Sequence, residues 1–198
     1  MPDAAPQGRT VFLDFEASSL GRKGFPIEVA WVFDTGEEEA HLIRPAEDWT
    51  EWAASAEAVH GIPRDLLDRE GTPAAEVARR VLEALSGHRL YASAPSWDGQ
   101  WMSRLLRAGG LPRHALRLRD TEEARADAVL GALQAAGLAP DECRRSAEPI
   151  LRDAQRRAEA AQPAHRALGD ARRERDVWLD ARRRAVEAVR RGGSGQDR

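Results

Sequence analysis

The sequence predicts an α/β fold with a mixed sheet flanked by helices, and three observations carry that prediction. The chain opens with three short apolar, partly β-branched runs; two further short runs then alternate with amphipathic helices; from about residue 122 the pattern is helical. A central mixed sheet of five strands follows, the first three in an antiparallel meander and the last two reached through helices. At 198 residues the chain can bury one good core. We expect one domain over 9–191, between a polar lead-in at 1–8 and a flexible tail at 192–198 that contains Gly192-Gly193-Ser194-Gly195.

The first strand is Val11 to Phe15, inside Thr10-Val11-Phe12-Leu13-Asp14-Phe15-Glu16. Side chains alternate along a strand, so Val11, Leu13 and Phe15 share one face and Phe12, Asp14 and Glu16 the other. Two carboxylates thus leave the same face of an apolar strand, about 6.5–7 Å apart at the Cα level. Unpaired buried charge is costly, so the pair calls for a cation. Arg22 or Lys23 could supply it, or a divalent metal, since oxygen donors suit magnesium and manganese. A wet edge strand is the other reading.

Pro26 to Phe33 is the second strand, Asp34-Thr35-Gly36 its turn and Ala40 to Ile43 the third strand. Short helical pieces occupy 46–71. Thr72-Pro73 opens a helix, with Thr72 as N-cap and Pro73 at the first helical position; Val77, Val81, Leu82 and Leu85 form its stripe, and Gly87 closes it. Arg89 to Ser93 is a strand, Trp97 to Ala108 a helix with Trp97 and Trp101 read as core, and Leu116 to Leu118 the last strand. The helical remainder breaks near Gly137 to Pro140 and at Pro163.

Composition bounds the function classes. Cys143 is the single cysteine, so no disulfide framework exists and a reducing, cytoplasmic setting is expected. No membrane-spanning run, signal peptide or cysteine/histidine zinc cluster is present, and no membrane partner is expected. A net charge of −3 hides an asymmetry: residues 1–60 carry 12 acidic against 4 basic residues, and residues 144–198 carry 15 arginines against 9 acidic residues. The acidic half suits metal ions; the arginines suit either a phosphate backbone or a helix surface laced with i,i+4 ion pairs.

Two further positions bear chemistry. Asp98 stands where a strand passes into a helix, a place where an acid also complements the helix dipole. His165 and Asp170 are five residues apart, about 140° around a regular helix, and converge only if His165 lies on the lead-in that Pro163 favours.

In order and spacing these motifs resemble the DEDDh 3′–5′ exonucleases, a family of ribonuclease H-like fold that includes the proofreading subunit of bacterial replicative DNA polymerase. The resemblance spans about residues 9–180. It rests on Asp14-Phe15-Glu16, Ile27-Glu28-Val29-Ala30, Val59-His60-Gly61-Ile62, Asp98, Asp120-Thr121 and His165-x4-Asp170. One motif departs: the family commonly reads Asn-x-x-Phe-Asp where this chain has Ala94-Pro95-Ser96-Trp97-Asp98, so the acid is kept and the amide is not.

The resemblance implies that Asp14, Glu16, Asp98 and Asp170 bind two divalent ions, Mg²⁺ or Mn²⁺, and that His165 is the general base. It also implies that Ala17, Ser18, Ser19, Leu20 and His60 hold the terminal nucleotide of a single strand of DNA or RNA, Leu20 wedging against its base. An inactive nucleic-acid-binding module of the same fold and a proofreading or accessory subunit are the competing readings. A homo-oligomer is not indicated.

Overall fold

The central place in the sheet falls to the acidic strand. The structure, a computed structural model, describes residues 8–193. β1 (Thr10–Ala17) pairs antiparallel with β2 (Pro26–Phe33), which pairs antiparallel with β3 (Glu38–Arg44). Two short helices, α1 (Ala54–His60) and α2 (Arg64–Glu70), lead to β4 (Thr72–Pro73), parallel to β3. α3 (Ala74–Leu85) precedes β5 (Arg89–Ala92), and α4 (Pro95–Ala108) precedes β6 (Leu118–Asp120). β5 runs parallel to β1 and β6 parallel to β5, giving the order β4-β3-β2-β1-β5-β6. α5 (Thr121–Ala135), α6 (Pro140–Ala160) and α7 (Ala167–Gly193) complete the described chain.

The sheet therefore has six strands and not five. The added one is Thr72–Pro73, the segment expected to start a helix. Proline disfavours helical backbone in the residue before it, so Thr72 stays extended; Pro73 becomes the N-cap (φ −51°, ψ 134°) and α3 begins at Ala74. The last strand also lies later than expected, at Leu118–Asp120. At the other end α7 runs on through Gly193, into the stretch read as a tail; the lead-in residues 1–7 and the tail residues 194–198 lie outside the described residues.

Strand alternation sorts the core into two layers. Val11, Leu13 and Phe15 join Val29, Trp31, Val81 and Leu105 in the layer under α3 and α4. Phe12 points to the opposite face, where it meets Tyr91, Ala124 and Trp178 beneath α5 and α7. The Trp178 ring lies tilted against Phe12, centroids 5.6 Å apart, and donates its indole N–H to the Ala124 carbonyl (3.1 Å). Behind it, Val129, Leu133, Cys143, Ala147 and Ala181 seal α5, α6 and α7 into a small bundle. A buried ion pair, Arg125 to Glu174 at 3.1 Å, with Gln155 on the second guanidinium nitrogen, ties the three helices together.

The arginines of α6 and α7 are largely spent inside the protein. Arg144, Arg152, Arg157, Arg172 and Arg183 each meet a carboxylate, of Asp141, Glu148, Asp153, Glu38 and Asp180 respectively. The laced-helix reading holds for these side chains. No helix among the described residues is long and apolar enough to cross a membrane.

Because Trp178 locks α7 onto the sheet, Trp178→Ala should lower stability by about 3–5 kcal/mol, the usual cost of removing a large buried aromatic. Urea unfolding followed by far-UV circular dichroism measures it.

Candidate active site

β5 pairs with β1 only from Thr10 to Phe12. Beyond Phe12 the two strands part, and the start of α4 fills the gap with Asp98. A cleft of about 470 Å³ opens there, at the carboxyl ends of two parallel strands, where open α/β sheets place ligands. Asp14, Glu16 and Ala17 form its floor; α1 gives one wall through Ala56, Val59 and His60, and α4 the other through Trp97, Asp98 and Trp101.

Carboxylate oxygens of Asp14, Glu16 and Asp170 all lie within 4.8 Å of one another. Asp98 adjoins this trio. Burial is the main force pushing the Asp14 carboxyl well above its ordinary range, and the charges of Asp98, Glu16 and Asp170 push the same way. Burial, then Asp170 and Glu28, raise Glu16 to about 7. Burial raises Asp98 to about 7, against backbone hydrogen bonds at Ala94, Phe15 and Asp98 itself. One oxygen of Asp98, Oδ2, is buried with no partner.

Two guanidiniums oppose these charges. Arg173 holds Asp170 and lies near Asp14, and Arg166 lies near Glu16. Arg22 and Lys23, the cations expected beside the pair, instead stand exposed on the loop after Leu20. Five acidic groups, counting Glu28, face two arginines, an excess of acid that a bound cation would offset. An all-oxygen donor set with one orphaned oxygen fits hard divalent cations such as Mg²⁺ or Mn²⁺.

The residue that positions the last part of the site stands in the Ile27–Ala30 motif, where the sequence assigned it no role. Glu28 of β2 stands opposite Glu16 and is 3 % exposed. Its carboxylate accepts from Arg166 through two nitrogens (2.6 Å to Nη2, 3.1 Å to Nε) and from the Ala167 N–H (2.9 Å). It therefore caps the start of α7 from the sheet. Asp170 repeats the arrangement one turn on, accepting from the Ala164 N–H at 2.9 Å. His165 sits between these two anchored points, exposed, and is the one non-glycine residue among those described with positive φ (53°). So His165 lies ahead of α7 and Asp170 in its first turn. The signal for Glu28 was present: a lone carboxylate inside the apolar run Ile27–Phe33 needs a partner.

The proposed nucleotide contacts divide. Ala17, Ser19, Leu20 and His60 line the cleft. Ser18 does not: it is fully buried, exchanging hydrogen bonds with Phe25 through its backbone N–H (2.9 Å) and its hydroxyl (3.1 Å), and so shapes the loop. Ser19 is turned toward Glu51 and accepts from the Gly21 N–H. His60 accepts the Ile62 N–H on Nδ1 (3.0 Å), which places the neutral ring's proton on Nε2. That nitrogen is buried without a protein partner, and burial lowers the imidazole pKa.

Trp101 is core, 5 % exposed, but Trp97 is not: it stacks on Trp101 with 39 % of its surface exposed. Leu20, Val59 and Trp97 are three of the four large apolar side chains exposed among the described residues, and all three rim this cleft.

No protein-family model matches the sequence, and no curated protein matches it. Solved structures do. Exonuclease I of E. coli bound to a dA16 oligonucleotide superposes with a TM-score of 0.63 at 17 % identity, covering 92 % of this chain and 43 % of that one. A moderately thermophilic exonuclease I from Methylocaldum szegediense gives 0.64 at 17 % identity, covering 92 % and 42 %. This chain shares the exonuclease I fold. It spans less than half the length of those chains, and the ribonuclease H-like architecture expected from the sequence is the one they have.

Two outcomes follow from the electrostatics and from the Glu28 clamp. Glu16 and Asp98 have folded pKa values raised to about 7 from ordinary values of 4.5 and 3.8, so the folded metal-free protein binds more protons than the unfolded chain in that window. Stability without metal should be greatest near pH 4–5 and fall as pH rises through about 7. Asp14→Asn should raise the metal-free melting temperature at pH 8, and Mn²⁺ should raise it for the unmodified protein only; differential scanning fluorimetry reads both. Glu28→Gln removes the charge that holds Arg166 and the start of α7. It should lower any activity of the site about 10²-fold through misplacement, with far-UV circular dichroism unchanged.

Proposed function

We propose that this chain is a metal-dependent 3′–5′ exonuclease. It hydrolyses phosphodiester bonds at the 3′ end of single-stranded DNA or RNA and releases nucleoside 5′-monophosphates. The observation that carries the reading is the trio Asp14, Glu16 and Asp170, within 4.8 Å, with Asp98 beside it, at a cleft whose floor holds Asp14 and Glu16 and whose rim is apolar. The exonuclease I structures with the same fold, among them complexes with a dA16 and a dT13 oligonucleotide, support it.

In this reading Asp14, Glu16, Asp98 and Asp170 hold two divalent ions, which supply the means to activate a water and to stabilise the leaving 3′ oxygen. Every other task falls to the chain's own groups. His165, exposed on an anchored lead-in, takes the proton of the attacking water. Leu20 wedges against the last base, and Val59 and Trp97 complete an apolar rim on which an unpaired base rests. His60, in the wall formed by α1, contacts the terminal nucleotide. A single strand suits this rim because its bases have open faces to stack.

Oligonucleotides of DNA and RNA labelled at the 3′ or the 5′ end, incubated with the protein in Mg²⁺, in Mn²⁺ and in chelator, test the proposal. A metal-dependent ladder shortening from the 3′ end is the expected result, lost in Asp14→Ala and slowed about 10²-fold in His165→Ala. Internal cutting, or full activity in Asp14→Ala, would refute it.

A further inference from the structure

A second depression, of about 300 Å³, adjoins the acidic cleft, and Trp101 lines both. Its walls are the loop after Leu20, with Arg22 and Gly24, and the face of α4 that carries Gln100, Arg104 and Arg107, with His114 beside them. Its chemistry is the reverse of the cleft's: no carboxylate lines it, and three guanidiniums and an imidazole do.

Two of these cations are uncommitted. Arg22 and Arg107 are exposed, and among the described residues neither has a carboxylate within ion-pair distance. That sets them apart from Arg144, Arg152 and Arg183 of α6 and α7, which are as exposed and each paired. Arg104 is fixed in place between them. It donates to the Gly24 carbonyl (2.7 Å) and lies 5.3 Å over the Trp49 ring, with Asp48 and Glu51 in electrostatic reach but outside ion-pair distance. The loop is fixed too, since the Gly24 N–H closes on the Gly21 carbonyl (3.0 Å) and a Cβ at Gly24 would stand 2.3 Å from the Ser19 oxygen. Leu20 at the cleft and Arg22 at the depression thus leave one tight turn.

We infer that this depression binds the phosphates of nucleotides upstream of the one held in the acidic cleft. The inference rests on the exonuclease reading for its substrate and adds where the strand lies. A strand whose end reaches Asp14 and Glu16 brings negative charge into a negative site, and cations next door offset that repulsion. Phosphate contacts carry no sequence information, so the grip is sequence-neutral. The α6–α7 arginines that are paired with carboxylates, Arg144, Arg152 and Arg183 among them, contribute little to it.

The test is binding in an Asp14→Asn background, which stops turnover, with labelled oligothymidylates of two and of about ten nucleotides over a salt series. Arg22→Ala/Arg107→Ala should bind the longer strand about tenfold more weakly at low salt, with a slope of log K against log salt shallower by about 1.4, two contacts at ~0.7 each. The dinucleotide should be unaffected. Arg144→Ala/Arg152→Ala, equal in charge lost, should leave both strands unchanged. An unaltered slope in the first variant, or a shallower one in the second, overturns the inference even where the unmodified chain degrades DNA. Failure of the unmodified chain to bind or cut either strand overturns it together with the exonuclease reading.

Discussion

Carboxylates crowded on one face of a buried strand repel one another, and the architecture around them is what keeps them together. Asp14 and Glu16 stand on β1, which has β2 on one side and β5 on the other and cannot swing aside. Asp98 is delivered by a helix whose first turn is wedged between strands that have begun to diverge. Asp170 is delivered by α7, which Phe12, Trp178 and the Arg125–Glu174 pair fasten to the sheet and to the helices behind it. Rigid scaffolding of this kind stores electrostatic strain that a flexible surface would relieve, and such strain gathers where chemistry is done.

Glu28 shows how that strain is distributed. It adds a fifth negative charge beside Glu16, which by itself worsens the crowding. It is tolerated because Arg166 and the Ala167 N–H neutralise it, and in being neutralised it fixes the segment that carries His165. One ion pair between a strand and a helix start 138 residues away thereby joins the floor of the cleft to the lead-in of α7.

What was legible in the sequence was local. β1 and β2 follow from runs of apolar and β-branched residues, the breaks between α5, α6 and α7 from Gly137, Pro140 and Pro163, and the shared face of Asp14 and Glu16 from strand alternation. Asp170, which joins that pair from α7, was legible only through the family resemblance, because its approach to β1 is a long-range contact. What was not legible depends on distant partners. The β4 bridge exists only because β3 lies beside it; Ser18 is buried by Phe25; Trp97 is left at the rim because Trp101, one turn on, takes the core position. Segment charge was the least informative quantity, since many arginines after residue 144 meet carboxylates on their own helices and on β3, while the two uncommitted arginines, Arg22 on the Leu20 loop and Arg107 on α4, do not register in any total.

Lys23 is the single lysine of the chain, because nearly all the basic residues are arginine, and it sits exposed in the tight turn that also carries Leu20. Amine chemistry at high pH therefore has one side-chain target, and that target stands three residues from Leu20 and next to Arg22 in sequence. A fluorophore attached there rides on the same turn as the apolar wedge and beside the depression lined by Arg22. The protein thus offers a single side-chain amine for labelling, and attachment there leaves the arginine ion pairs untouched.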